Sequence, residues 1–169
     1  MSIRLTKWRI LAVIVIAVLL LDQISKALIL AKLALYQSVE IMPPVLYITR
    51  SENTGAAFGI GGGASEVFLL LSLGIMLVIL YFYRQAEAKA YLQHLALSLV
   101  LGGALGNVLD RVQHGVVIDF VHIVIPNVIS NVSNFADHAI TLGVILLLWD
   151  SLRAERRKTP APTLEEGQA

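Results

Sequence analysis

Asp119 and Asp137 are the residues of this sequence best suited to acid–base chemistry. Each is flanked by apolar residues, and within three positions only His122 and His138 could supply positive charge. Apolar surroundings raise the pKa of a carboxyl group, and two adjacent carboxylates cannot both ionise, so the pair would share one proton. Such a pair can hydrolyse a peptide bond, because the ionised partner takes a proton from water while the protonated partner donates to the oxyanion. The 18 positions between them fix no geometry, and two unrelated interfacial aspartates are the alternative.

Other catalytic sets lack support in the sequence. No H-E-x-x-H or G-x-S-x-G motif occurs, and Ser25 and Lys26 are neighbours whose side chains would point in different directions on a helix. The spacings of the three histidines nearest the aspartates fit no usual pattern of metal ligands. Cysteine is absent, which excludes a thiolate nucleophile and an iron–sulfur cluster. We therefore expect neither a metal nor another cofactor.

The composition indicates that lipid surrounds these residues. Of the 169 residues, 57% are hydrophobic and only 15% are charged, with a mean hydropathy of +0.76. Soluble domains hold about 25% charged residues. Four stretches are long and apolar enough to cross a bilayer as helices: Ile10 to Ala31, Val67 to Tyr83, Tyr91 to Leu109, and Phe135 to Leu152. The sequence predicts an all-α membrane protein with four transmembrane helices.

Basic residues predict the orientation of these spans. Of the 13 lysines and arginines, 9 lie at the N-terminus, between the second and third spans, or in the C-terminal tail. Since segments rich in Lys and Arg stay in the cytoplasm, both termini are predicted to be cytoplasmic, with residues 33–66 and 110–134 outside. We expect residues 1–158 to form one domain and residues 159–169 a disordered cytoplasmic tail. A cleaved secretory signal is the alternative for the first span, but Asp22 and Lys26 interrupt the place where cleavage would fall.

The two external segments differ in residue type from the helices. Ser38 to Met42 and Val45 to Thr49 are rich in β-formers, and the glycine-rich stretch Gly55 to Gly63 follows. This pattern predicts a small β platform over residues 36–60. Residues 116–125 are β-branched and are expected to be extended or weakly helical.

Several polar residues are expected at one level of the membrane. Asp22 and Lys26 are four positions apart with the acid first, which is the favourable order for an ion pair on a helix. At 1.5 Å per residue, Asp22 and Asp137 stand about 20 Å and 24 Å above the basic residues at the inner helix ends. Charges inside a membrane are costly and mark functional sites.

The third span carries further polar and small residues. Asn107 and Arg111 are four positions apart, and Asp110 lies beside them. Arg111 is either a lipid-headgroup contact or a clamp for an anion or a peptide carbonyl. Gly102 and Gly106 form a small-xxx-small face that predicts close approach of a neighbouring helix.

Five short blocks follow one another between residues 22 and 137. They read D-Q-I-S-K from Asp22, N-T-G-A-A-F-G from Asn53, G-G-A-L-G-N-V-L-D-R from Gly102, V-I-D-F from Val117 and N-F-A-D from Asn134. Taken in order, these blocks resemble those of the lipoprotein signal peptidases, also called type II signal peptidases. Four helices with both ends inside match that family as well.

The resemblance implies a bacterial inner-membrane aspartic peptidase, active at the outer face, that cuts prolipoproteins just before the diacylglyceryl-modified cysteine. By matching positions, Asp119 and Asp137 would be the catalytic dyad. The groove that binds substrate would be lined by Asn53, Gly55, Asn107, Arg111 and Asn134. Supporting residues would be Asp22, Lys26 and Asp110. We expect prolipoproteins and membrane lipid as partners, no nucleic acid, and a monomer.

The sequence departs from the family pattern at three places, two of which lie in the flap between Asp119 and Asp137. Ser133 stands where the family usually has Phe, and a Trp-Pro pair that often precedes it is missing; Ile118 replaces the more usual Val. These changes concern loop shape and substrate preference more than the dyad.

The alternative function is a small proton-coupled transporter that uses the same acids as a relay. A transporter would need polar residues along a path through the bilayer, whereas the inner halves of these helices are almost purely apolar.

Overall fold

The computed structural model describes residues 2–55 and 64–158 of the chain. In chain order its elements are α1 (Ser2–Lys32), β1 (Ser38–Met42), β2 (Leu46–Asn53), α2 (Ala64–Gln85), α3 (Tyr91–His114), β3 (Val117–Ile125), β4 (Ile129–Ser133) and α4 (Phe135–Lys158). The predicted disordered tail and most of the glycine-rich stretch lie outside the described residues.

All four predicted membrane spans are helices, and each helix contains a segment long and apolar enough to cross a bilayer. The helices continue beyond the apolar stretches that the sequence marks. α3, for example, extends past Leu109 to His114, so that Asp110 and Arg111 belong to its last turns. It ends at Gly115, whose φ of 74° is the left-handed conformation that glycine adopts readily and whose N–H bonds to the Arg111 carbonyl. The predicted four-helix membrane protein with a small β platform is confirmed.

α3 is the central helix of the bundle. Two thirds of its apolar segment (67%) is buried inside the protein, against 6–11% in the other three helices. Gly102 faces α1, where a Cβ atom would lie 3.0 Å from the Cβ of Val18. Gly103 faces α4, where a Cβ atom would overlap the carbonyl oxygen of Ala136. Gly106 lies against Asp22 of α1 and Ala136 of α4, so the predicted close approach on the face of Gly102 and Gly106 is confirmed.

The strands form one antiparallel sheet in the order β1-β2-β3-β4. Ser51 of β2 pairs with Asp119 of β3, and Val121 of β3 pairs with Ser133 of β4. The sheet is larger than the platform predicted for residues 36–60, because residues 117–133 supply the other half of its strands. The sequence does not predict β4. Its residues, Ile-Ser-Asn-Val-Ser, are mostly exposed and adopt strand geometry through pairing with β3.

A chain of side-chain hydrogen bonds crosses all four strands. Ser38 of β1 contacts Thr49 of β2 (Oγ to Oγ1, 2.7 Å), and Thr49 contacts Nδ1 of His122 of β3 at 2.9 Å. Nε2 of His122 lies 3.0 Å from Oγ of Ser130 of β4. Successive side chains of a strand point to opposite faces, so His122 lies on the face opposite to Asp119. Both ring nitrogens of His122 are therefore engaged within the sheet.

The close contact between α3 and α4 makes a testable prediction. In Gly103→Ala the new methyl group must displace the backbone of α4 at Ala136, and we expect the free energy of unfolding to fall by about 1–3 kcal/mol. Gly74→Ala in α2 is the matched control, because a Cβ atom there meets nothing within 4 Å. Thermal unfolding of both variants in one detergent measures the difference. Equal midpoints for Gly103→Ala and the unaltered protein would contradict the close approach.

Candidate active site

Asp119 lies in the buried half of β3 and is only 2% exposed. Its Oδ2 accepts a hydrogen bond from Nδ2 of Asn53 (3.0 Å), and its Oδ1 accepts one from Nδ2 of Asn134 (2.6 Å). Burial raises the pKa of Asp119 to about 6; the bond from Asn53 opposes this rise, and the negative charge of Asp137 adds to it. Asp119 therefore holds a proton more readily than an exposed aspartate does.

Asp137 is fixed by the start of α4. Asn134 is the N-cap: its Oδ1 accepts from the backbone N–H of Asp137 (2.9 Å), while its own N–H points at Oδ2 of Asp137 (3.4 Å). This reciprocal arrangement is a capping box, which explains the spacing of Asn and Asp in the N-F-A-D block. Nδ2 of Asn107, on α3, donates to Oδ1 of Asp137 at 2.8 Å. The side chain of Asp137 is thus held at the N-terminus of α4 by the N-cap residue and by a residue of α3.

Asn134 connects the two aspartates. The same residue that caps Asp137 donates its side-chain amide to Asp119, and that amide also lies 3.2 Å from Oδ1 of Asn107. Asn134 itself is fully buried. The two aspartates, which are distant in sequence, therefore share one asparagine as a hydrogen-bond partner.

An ionic cluster lies beside this pair. Nζ of Lys26 is 2.7 Å from Oδ2 of Asp22 and 2.7 Å from Oδ2 of Asp110. All three side chains are nearly inaccessible to solvent. Gln23 completes the cluster, because its Nε2 donates to Oδ1 of Asp110 (2.9 Å) and to Oδ2 of Asp22 (3.2 Å). The predicted Asp22–Lys26 ion pair is confirmed, and Asp110 joins it as a second acid.

Each acid of this cluster also holds the backbone next to one member of the dyad. Oδ1 of Asp22 accepts from the N–H of Ala136 at 3.0 Å, directly before Asp137. Oδ2 of Asp110 accepts from the N–H of Ile118 at 3.0 Å, directly before Asp119. Both contacts are buried, so solvent does not compete with them. Lys26 is therefore connected, through two carboxylates, to the backbone beside both Asp119 and Asp137.

Gly55 and Arg111 lie at the edge of this network. The N–H of Gly55 donates to Oδ1 of Asn53 (2.8 Å), and its φ of 79° together with the nearby Phe68 ring leaves no room for a side chain. The guanidinium of Arg111 lies 5.8 Å from the centroid of that ring. Its Nε is buried and has no hydrogen-bond partner among the described residues. Arg111 also borders a cavity of about 300 Å³ together with Ser65, Glu66, Leu69 and Gly115.

The structure thus brings together most of the residues that the sequence singled out. One hydrogen-bonded network joins Asp22, Lys26, Asn53, Asn107, Asp110, Asp119, Asn134 and Asp137. Sequence reasoning missed the role of Gln23, although its position one turn from Lys26 within the same block was a usable signal. It also missed the hydrogen bonds that the backbone N–H groups of Ala136 and Ile118 donate to the cluster, because side-chain types do not reveal backbone contacts.

The histidines that stand near the aspartates in sequence have other partners. His122 bonds within the sheet, and Nε2 of His138 lies 3.4 Å from Oγ of Ser133. Ser133, the departure in the flap, is buried, and its hydroxyl also lies 3.4 Å from the carbonyl oxygen of Val121. In the described part of the chain, no three His, Asp or Glu side chains are arranged to hold a metal ion.

Fold and site together define a class of protein: a four-helix membrane protein with two hydrogen-bonded aspartates, one buried and one partly buried, at one end of the bundle. The chain belongs to the signal peptidase II family, whose sequence profile, described as Signal peptidase (SPase) II, matches residues 14–153. The resemblance carried by the five sequence blocks is therefore confirmed.

Individual relatives agree over nearly their whole length. The chain is 39% identical over 146 residues to the lipoprotein signal peptidase of Staphylococcus carnosus (strain TM300), covering 84% of this chain and 92% of that protein. It is 36% identical over 145 residues to the lipoprotein signal peptidase of Bacillus subtilis (strain 168), covering 86% and 94%. A solved structure described as a bacterial membrane enzyme superposes with a TM-score of 0.80 at 32% identity, covering 90% of this chain and 93% of that one. The proposed transporter finds no support in these relatives.

The ionic cluster makes a second testable prediction. Lys26→Met leaves two buried carboxylates without their cation, and removing one partner from a buried ion pair costs about 3–5 kcal/mol of stability. Lys32→Met is the matched control, because Lys32 is an exposed residue in the last turn of the same helix. Thermal unfolding in detergent measures both variants.

A double variant sharpens this test. Lys26→Met combined with Asp110→Asn removes one positive and one negative charge, so we expect it to be more stable than Lys26→Met alone. If the double variant loses the sum of the two single losses, Lys26 and Asp110 are not coupled as described.

Proposed function

We propose that this chain removes the signal peptides of prolipoproteins by aspartic catalysis, with Asp119 and Asp137 as the dyad. The observation that carries the proposal is the shared contact of Asp119 and Asp137 with Asn134, in a chain of the signal peptidase II family. Relatives that match nearly the whole chain are named lipoprotein signal peptidases, which supports the same substrate class.

The raised pKa of Asp119 supports a division of roles. Because burial raises this pKa, we assign the shared proton to Asp119 and the role of the base to Asp137. Asp137 accepts a proton from a water molecule while the water oxygen attacks the scissile carbonyl carbon, and Asp119 donates its proton to the carbonyl oxygen. The tetrahedral diol then transfers a proton to the amide nitrogen through the dyad, and the carbon–nitrogen bond breaks.

The asparagines around the dyad do not titrate, and this suits them to hold carboxyl groups in place. Asn53 and Asn134 hold Asp119, and Asn107 holds Asp137. Because no lysine or arginine contacts either dyad carboxyl among the described residues, the shared proton is not displaced by a direct ion pair. Lys26 acts one step away, through Asp22 and Asp110.

The geometry of the bundle supports a site at the outer membrane surface. The sheet and the dyad lie at the end of the helices opposite to most of the basic residues, which favours cytoplasmic termini and an external site. A signal peptide that lies in the bilayer as a helix presents its cleavage site at that level. The acyl chains of the diacylglyceryl-modified cysteine then enter laterally, between helices, and residues 1–158 act as one monomeric peptidase domain.

We assign binding of the substrate peptide to residues at the edge of the hydrogen-bonded network, where Gly55 and Arg111 lie. Arg111 has a buried donor without a partner among the described residues, which suits it to bind a carbonyl oxygen of the substrate. Asn53 and Gly55 complete this edge: the N–H of Gly55 holds the side-chain oxygen of Asn53, and the Phe68 ring takes the space that a side chain on Gly55 would need. Ser133 and the rest of the flap contribute to substrate preference.

Removal of either dyad carboxylate is expected to abolish cleavage. Asp119→Asn and Asp137→Asn keep the shape of the side chain but cannot exchange a proton, so we expect processing of a lipid-modified precursor to fall by at least about 1,000-fold. Asp150→Asn, near the other end of α4, is the matched control and should cleave normally. Thermal unfolding establishes that each variant folds. Retained cleavage by either dyad variant would refute the assignment.

The pH dependence of the rate tests the shared proton. The active form holds one proton on the pair, and Asp119 loses it as the pH rises through about 6. Above this pH we expect kcat/KM, which reports the ionisation of the free enzyme, to fall about tenfold per pH unit. Measurement of stability over the same range separates this loss from unfolding. A rate that does not change between about pH 5 and 8 would contradict a protonated carboxyl with this pKa.

A further inference from the structure

A second cavity lies at the end of the bundle opposite to the dyad. Its volume is about 740 Å³, and it is lined by Lys7, Trp8, Arg84, Gln85, Ala86 and Ala88. These residues belong to the beginning of α1, the end of α2 and the following turn. Lys7 is 15 positions before Asp22 on the same helix, hence about 22 Å from the ionic cluster. The cavity is therefore separate from the candidate active site.

Lys7 is a nearly buried cation, with only 9% of its surface exposed. Its Nζ donates to the carbonyl oxygens of Arg84 (3.1 Å) and Ala86 (3.2 Å). Lys7 thus supplies hydrogen-bond donors to carbonyl groups at the C-terminal end of α2. An ammonium group has three N–H donors, so one is left over. No carboxylate lies within ion-pair distance of Lys7 among the described residues. The partial negative charge of a helix end, about half an elementary charge, offsets only part of this positive charge.

Arg84 adds a second positive charge to the wall of the cavity. Its side chain is exposed and forms no ion pair within the described part of the chain. A buried cation in a protein, such as Lys7, normally has an anionic partner. The cavity therefore suits an anion that contacts Lys7 and Arg84 together, with Gln85 supplying further donors for uncharged oxygens.

The position of the cavity favours an anion that belongs to the membrane. It lies where apolar helices α1 and α2 reach the membrane–water interface, and Trp8 stands half-exposed beside Lys7, with 6.0 Å between Nζ and the ring centroid. Tryptophan is enriched at the level of lipid headgroups, and basic pockets between transmembrane helices bind anionic headgroups. We propose that this cavity binds the phosphate group of an anionic phospholipid through Lys7 and Arg84. The proposal depends on membrane insertion, and not on the peptidase reaction.

Lipid titration of the purified full-length chain in detergent tests the proposal. Phosphatidylglycerol should raise the unfolding temperature and remain bound in native mass spectrometry, whereas phosphatidylcholine at the same concentration should do neither. Arg84→Gln should weaken the apparent affinity for phosphatidylglycerol about tenfold. This variant keeps the α2 cap, because Lys7 contacts the backbone oxygen of Arg84 and not its side chain.

Arg9→Gln is the matched control, since Arg9 is an exposed basic residue at the same end of α1 but does not line the cavity. It should leave lipid affinity unchanged. Equal stabilisation by both lipids, or equal loss in Arg9→Gln and Arg84→Gln, would overturn the proposal. Stabilisation of the same size by inorganic phosphate or glycerol phosphate would also overturn it, because the site would then bind free anions and not a lipid.

Discussion

Lys26 lies in the protein interior with two aspartates, and the cost of burying these charges shapes the rest of the site. Buried charges are tolerated only when they are paired and hydrogen-bonded, so α1 and α3 must bring Lys26, Asp22 and Asp110 to one place. The remaining oxygens of the two acids need donors as well, and they find them in the backbone of α4 and β3. Satisfying the cluster therefore fixes the two segments that carry Asp119 and Asp137.

The packing of α3 makes this arrangement possible. Gly106 lies against the cluster, where a Cβ atom would stand 2.7 Å from Oδ2 of Asp22 and 3.2 Å from the Cβ of Ala136. A larger residue would separate α1 from α4 and break the contact with the Ala136 N–H. In a bilayer, apolar burial between helices supplies little driving force, so close backbone contact and interhelical hydrogen bonds carry the association. The same contacts that hold the bundle together thus determine the geometry of the dyad.

The sequence predicts the local features of this fold and misses several of the long-range ones. The four spans and the Asp22–Lys26 pair follow from hydropathy and from spacing along one helix, which are properties of a single segment. β4 and the full extent of the sheet could not be predicted, because an exposed strand acquires its geometry from its partner. Asn134 is similar: its place in N-F-A-D predicts a helix cap, but its contact with Asp119 depends on how α4 meets β3. The pairing of Asp119 with Asp137 was predicted from the resemblance to the family and not from their spacing.

Asp119 and Asp137 are proposed to act on one oxygen atom that lies between them. The decisive measurement is a crystal structure of the chain with a precursor peptide in which a hydroxyl-bearing carbon replaces the scissile carbonyl. We expect this hydroxyl oxygen about 2.6–3.2 Å from a carboxyl oxygen of each aspartate, with the Asn134 contacts intact. A hydroxyl that contacts only one of the two aspartates, or a bound state in which the carboxyl groups have separated beyond reach of a common oxygen, would rule out their joint action.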